Sequence, residues 1–117
     1  MTRVPRKLLS ANASVDSDGH LLIGALDVLD LANEFGTPLF VYDEEDIRAR
    51  AHAAVEAFGD GVAYASKAFL CRAVARLALD EGMRIDVATG GELHIVLAVG
   101  TLPDAMISRF DATVWVK

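Results

Sequence analysis

Cysteine is almost missing from this 117-residue chain. Cys71 stands alone, so no internal disulfide can form, which fits a reducing cytosol. No stretch reaches the run of about 18 apolar residues that a helical membrane span requires, so no membrane partner is expected. A basic, then apolar, then small-residue leader is missing as well, and nothing argues for secretion. Lys and Arg total 11 against 17 Asp and Glu, a net charge of −6. Beyond Arg3, Arg6 and Lys7 there is no basic cluster, which argues against nucleic acid as a partner. His20, His52 and His94 lack metal-ligand spacing with Cys71, so no metal is expected. Neither a GxGxxG fingerprint nor a P-loop occurs, which leaves a nucleotide reading unsupported.

Apolar side chains, by contrast, are abundant. They make up 53 % of the chain, only 24 % of residues are charged, and mean hydropathy is +0.34. The length suits one domain. Small domains have much surface to cover with polar groups, so the excess implies apolar surface meant to be buried by something further.

The pattern along the chain alternates. Residues 1–24 are punctuated by Ser, Asp and Gly and predict a poorly structured lead-in or an irregular first strand. Leu26, Leu29, Ala32 and Phe35 share a helical face, and Gly36 is a natural stop. Thr37-Pro38 breaks the helix, and Leu39-Phe40-Val41-Tyr42 predicts a short strand. Asp43 suits an N-cap with acidic residues 44–46 behind it. The helix it opens carries Ile47, Ala51, Ala54, Val55 and Phe58 on one stripe, with His52 off it as a solvated residue. Gly59-Asp60-Gly61 is a turn and leads into a strand ending at Ala65. A helix over about 69–81, built on Leu70, Val74, Leu77 and Ala78, stops at Gly82. Arg84–Ala88 predicts a strand, and Thr89-Gly90-Gly91 opens another helix that Gly100 closes. Strand, helix and strand in this order imply βαβ units with parallel strands and right-handed crossovers. Met106–Ser108 and Thr113–Val116 predict further short strands. The last of these runs into Lys117, which suggests an array cut off at an unpaired edge.

Lys67 is the residue with the most chemistry in prospect. It follows a strand and precedes a helix, where α/β folds place reactive groups. Lysine also forms Schiff bases with carbonyl compounds and with pyridoxal phosphate (PLP). The plainer alternative is a solvated loop lysine. Parallel strands put the Thr89–Gly91 turn on the same rim, about 5 Å across per strand. Gly90-Gly91 would let a ligand approach the backbone, or simply make a tight turn with Glu92 serving the helix dipole. Asp86 would line a cofactor site or pair with the lysine. Tyr64 would stack on a planar ring or pack in the core. Cys71 reads best as a small buried hydrophobe.

Taken in order, three segments resemble a known family: Gly36-Thr-Pro-Leu-Phe-Val-Tyr-Asp43, Tyr64-Ala-Ser-Lys67-Ala and Asp86-Val-Ala-Thr-Gly-Gly-Glu-Leu93. They are similar, over about residues 20 to 100, to the N-terminal part of the diaminopimelate decarboxylases. These are PLP-dependent enzymes of the alanine-racemase-like, fold type III class. The resemblance implies an α/β chain that forms the start of a (β/α)8 TIM barrel. Residues 1–24 would be a lead-in, 25–60 a pre-barrel strand and helix, and 61–117 the first βα units. The Leu39–Tyr42 strand would belong to a second, β-rich domain. It implies PLP held covalently on Lys67, with Tyr64 and Asp86 in the cofactor pocket. The implied reaction converts meso-2,6-diaminopimelate, a small amino-acid substrate, to L-lysine in the cytoplasm, with full-length members as homodimers. Ornithine, arginine and carboxynorspermidine decarboxylases share the lysine motif more loosely. A non-catalytic PLP-binding or interaction module is the other alternative.

Two departures stand out. Phe69-Leu70-Cys71 replaces the Asn and Pro that many members carry after the lysine. Beyond Gly100 the family continues to a His-Gly-Asn-Asn-Lys-like turn, whereas this chain reads Met106-Ile-Ser-Arg-Phe-Asp-Ala-Thr-Val-Trp-Val-Lys117. A truncated or frame-shifted product, inactive alone, is the expectation. The family's phosphate loop, the acidic partner of the pyridine nitrogen, the stacking histidine and the partner subunit's catalytic cysteine are expected later in a complete chain.

Overall fold

A computed structural model describes residues 5–101 and 103–108. The lead-in contains more order than its composition announces. β1 (Ser14–Val15), β2 (Leu21–Ile23) and β3 (Leu26–Asp27) form an antiparallel meander in that order. Only Gly24 and Ala25 connect β2 to β3, and their φ angles of +56° and +64° suit the two positive φ values of a type I′ turn. Gly-Ala is not the Asn-Gly or Asp-Gly signal of such hairpins, so the sequence pattern hides it. Leu26 therefore lies in a strand, and the helix expected from it begins later, as α1 (Val28–Phe35). Asp27 caps α1, its Oδ1 accepting the Leu29 N–H at 2.7 Å. Gly36, at φ +80°, ends it as expected.

The strand expected at Leu39–Tyr42 is absent: these residues carry no ladder, and Phe40 is 86 % exposed. A β-prone run becomes a strand only when another edge pairs with it, and none of the described strands does. The Thr37–Pro38 peptide before it is cis. Asp43 does cap α2 (Glu44–Phe58), accepting the Asp46 N–H on Oδ1 at 3.2 Å. Ala51 is buried and Ile47, Ala54 and Val55 are half-buried, but Phe58 at the end of the same stripe is exposed.

Two compact units divide the chain, one through Ala49 and one from Arg50. In the second, β4 (Ala63–Ala65), α3 (Arg72–Asp80), β5 (Arg84–Val87), α4 (Gly90–Ala98) and β6 (Met106–Ser108) alternate. The strands pair in the order β4-β5-β6, both pairs parallel. This is the βαβ arrangement that the alternation predicts. α3 starts later than expected because Ser66–Ala68 wind a 3-10 turn and Phe69 and Cys71 remain extended. Leu70 therefore packs from a loop. The strand expected at Thr113–Val116 lies outside the described residues.

The core of this unit is small. Ala75 and Ala78 of α3, Ile85 and Val87 of β5, and Val96 of α4 are buried together. The alanines let the helix come close to the middle strand, whose two aliphatic side chains are fully covered. α4 begins with a capping box: Thr89 Oγ1 accepts the Glu92 N–H at 3.2 Å. The Glu92 carboxylate accepts from the N–H groups of Ala88 at 2.6 Å and Thr89 at 3.1 Å. Reciprocal bonds of this kind satisfy donors that a helix start leaves open.

Three outcomes follow for denaturant unfolding. Thr89→Ala should cost about 1 kcal/mol, seen as a lower midpoint at unchanged slope. Glu92→Ala should cost more, since its charged carboxylate serves two backbone donors. Ala25→Gly should stabilise the meander by up to about 1 kcal/mol, by relieving a left-handed alanine. A neutral or destabilising result would remove the turn strain from the account.

Candidate functional site

Parallel strands deliver their C-terminal ends to one rim, and that is where reactive side chains collect in such folds. Ala65 is registered with Asp86, and Asp86 with Ile107. Lys67 sits in the 3-10 turn immediately past β4 and is exposed. Both flanks of that turn are tied down. Ser66, only 2 % exposed, donates its hydroxyl to the Asp86 backbone oxygen at 2.7 Å. Tyr64 donates its hydroxyl to the Phe69 backbone oxygen at 2.6 Å. The turn is thereby bonded to β5 on one side and closed on itself on the other.

Strand alternation then sorts the candidate residues by face. Ile85 and Val87 are buried beneath the helices, and Tyr64 and Met106 pack against them. Asp86, between the two, points to the opposite face, and its partners in register are Ala65 on β4 and Ile107 on β6. Lys67 and Asp86 are thus brought to one end of adjacent strands. Tyr64 is on the helix side, so only its hydroxyl reaches the turn. Ser66 is the residue that the sequence reading passed over. A serine at a strand end carries a weak signal, and its partner lies twenty positions away.

The remaining candidates are accounted for locally. A Cβ built on Gly91 would meet nothing within 4 Å, so there is open space beside the start of α4. Glu92 is engaged as a cap, in line with its structural alternative. Cys71 occupies the N-cap position of α3 without a side-chain bond and is half-buried. The His52 side chain is 72 % exposed, with Glu81 3.8 Å away. Asp16, His20 and Asp27 come together in the first unit, where Asp16 Oδ1 accepts the N–H groups of Asp18 and His20. Asp27 Oδ1 is occupied as the α1 cap, so the trio is a hydrogen-bonded junction. An apolar cavity of about 860 Å³ is lined by Ile23, Leu26, Leu31, Phe35, Phe40 and Tyr42 among others, all in the first unit.

Comparison with known proteins gives a consistent result. The family model for the pyridoxal-dependent decarboxylases, pyridoxal binding domain, matches residues 44–112. A diaminopimelate decarboxylase of Mycobacterium tuberculosis is 46 % identical over 95 residues, covering 80 % of this chain and 21 % of that protein. Its counterpart from Halalkalibacterium halodurans is 50 % identical over 91 residues, covering 74 % of this chain and 21 % of that protein. A crystal structure of diaminopimelate decarboxylase from M. jannaschii superposes with a TM-score of 0.73 at 30 % identity, covering 86 % of this chain and 25 % of that one. A second structure of it, in co-complex with L-lysine, gives 0.71 at 33 % identity, covering 85 % and 25 %. The chain spans about a fifth of the length of these curated relatives. The match runs through β4, β5 and β6 and takes in Tyr64, Lys67 and Asp86. On this ground the chain belongs to the pyridoxal-dependent decarboxylases and carries part of their pyridoxal-binding domain.

Proposed function

We propose that this chain is the PLP-carrying segment of a diaminopimelate decarboxylase, with Lys67 as the cofactor lysine and Asp86 lining its pocket. The observation that carries the reading is the Lys67 turn, tied at both flanks and set beside Asp86 at the C-terminal ends of parallel strands. An exposed primary amine on a held turn fits an aldehyde cofactor, and the space beside Gly91 leaves the rim accessible. Bound PLP supplies an electron sink for the electron pair left behind when CO2 departs. The chain's own residues bind and orient. Lys67 offers the amine, and Asp86 offers a carboxylate to a donor on the cofactor or substrate. Ser66 and Tyr64 fix the turn from which the amine projects. Tyr64 acts from beneath the rim, since its ring packs with the core.

The substrate is meso-2,6-diaminopimelate and the product L-lysine in this reading. Relatives at 42 to 50 % identity carry the name diaminopimelate decarboxylase, which favours it over an ornithine or arginine decarboxylase. A complete (β/α)8 barrel takes about 250 residues, so the 117-residue chain by itself should bind PLP without turnover.

Three lysines make the first test clean: Lys7, Lys67 and Lys117. After incubation with PLP and reduction by borohydride, peptide mapping should find the pyridoxyl group on Lys67, and Lys67→Ala should abolish it. Equal labelling of all three lysines would refute the assignment. The purified chain should release no CO2 from diaminopimelate with PLP present; clear turnover would contradict the division of labour proposed here. Ser66→Ala should lower stability by about 1 kcal/mol and weaken the preference for Lys67 in the same labelling experiment. Unchanged selectivity would show that the Ser66 bond does not orient the amine.

A further inference from the structure

His20 lies where acidic groups converge. Its Nδ1 is 2.7 Å from Asp27 Oδ2, and its backbone N–H donates to Asp16 Oδ1 at 2.8 Å. Asp16 also organises the β1–β2 turn, taking the Asp18 N–H at 2.9 Å. Its backbone N–H in turn donates to the His20 carbonyl at 3.0 Å. Asp27 uses its other oxygen to cap α1, and Asp30 stands in that helix's first turn. One imidazole thus bridges the β1–β2 hairpin tip and the N-terminus of α1.

We propose that His20 is a pH-operated latch that, when protonated, clamps the β1–β2 tip to the N-cap of α1 and, when neutral, slackens it. Among the described residues, the charged groups that act on the ring are Asp27, Asp16 and Asp30, all acidic. The hydrogen bond to Asp27 and then the charge of Asp27 raise the His20 pKa above its ordinary value. Asp27 moves the opposite way: the Leu29 N–H and then the His20 bond hold its carboxyl below the usual range. The imidazolium contribution is complete below the ordinary histidine value of about 6.5 and is lost as pH rises through the raised one. The Asp27 contribution is present above the ordinary carboxylate value of about 3.9 and is lost as pH falls through the lowered one. The latch is therefore tightest at mildly acidic pH and loosens on the alkaline side. A neutral ring keeps one N–H for Asp27, so the contact weakens without breaking.

The test is an NMR titration of the His20 ring in the full chain, with amide exchange at His20 and Leu29 corrected for intrinsic rates. The ring midpoint should lie above that of an unstructured histidine, and protection at both amides should fall as pH rises through it. Asp27→Asn keeps a capping side chain but removes the charge, and should bring the midpoint down. His20→Gln should make protection independent of pH. An unshifted midpoint, a midpoint unmoved in Asp27→Asn, or a pH-dependent loss that persists in His20→Gln would overturn the latch.

Discussion

The register of β5 between β4 and β6 is the constraint on which the second unit depends. Ile85 and Val87 bury against α3 and α4, and the same alternation turns Asp86 to the other face. A slip of one residue would expose both aliphatic side chains and push a carboxylate into the core. Core and candidate site are therefore fixed by one decision. The Ser66 hydroxyl reinforces it from outside the ladder, because its bond reaches the backbone of Asp86 itself. Burying β5 in this register therefore brings the end of β4, and the Lys67 turn that follows it, alongside Asp86.

What was legible in the sequence follows the range of each interaction. Caps act within about four residues, and Gly36, Asp43, Thr89 and Glu92 all do in the structure what their chemistry predicts. The common rim of Lys67 and Asp86 was legible too, since a strand-then-helix order fixes which end of a parallel sheet they share. Partner-dependent features were not. The Leu39–Tyr42 run has strand composition but no pairing edge among the described strands. The β2–β3 hairpin turns on Gly24-Ala25, a pair without the usual turn signature. Tyr64 could be given a face only once its register with Ile85 was known. The Ser66 and His20 bonds join residues whose proximity no local pattern encodes.

Apolar excess in the composition has a structural counterpart. Phe40, Phe58 and Phe35 are among the large side chains left mostly exposed, while among the described residues the core cluster consists of a few aliphatic side chains. Among the described strands, β4 and β6 each pair on one side only. Exposed aromatics and unpaired sheet edges both favour further burial.

The Lys67 turn shows how a site can be prepared by a part of a fold. Orienting a flexible side chain costs conformational entropy, and a backbone already held at both flanks lowers what remains to be ordered. Ser66 and Tyr64 do this with bonds internal to the unit, from residues immediately next to and three positions before the lysine. Neither bond uses the Lys67 amine, which stays at the surface. The scaffold and the amine are thus separable: packing around Ile85 sets the first, and the second stays open to solvent. That separation is why labelling of Lys67 can report on the turn even when no turnover occurs.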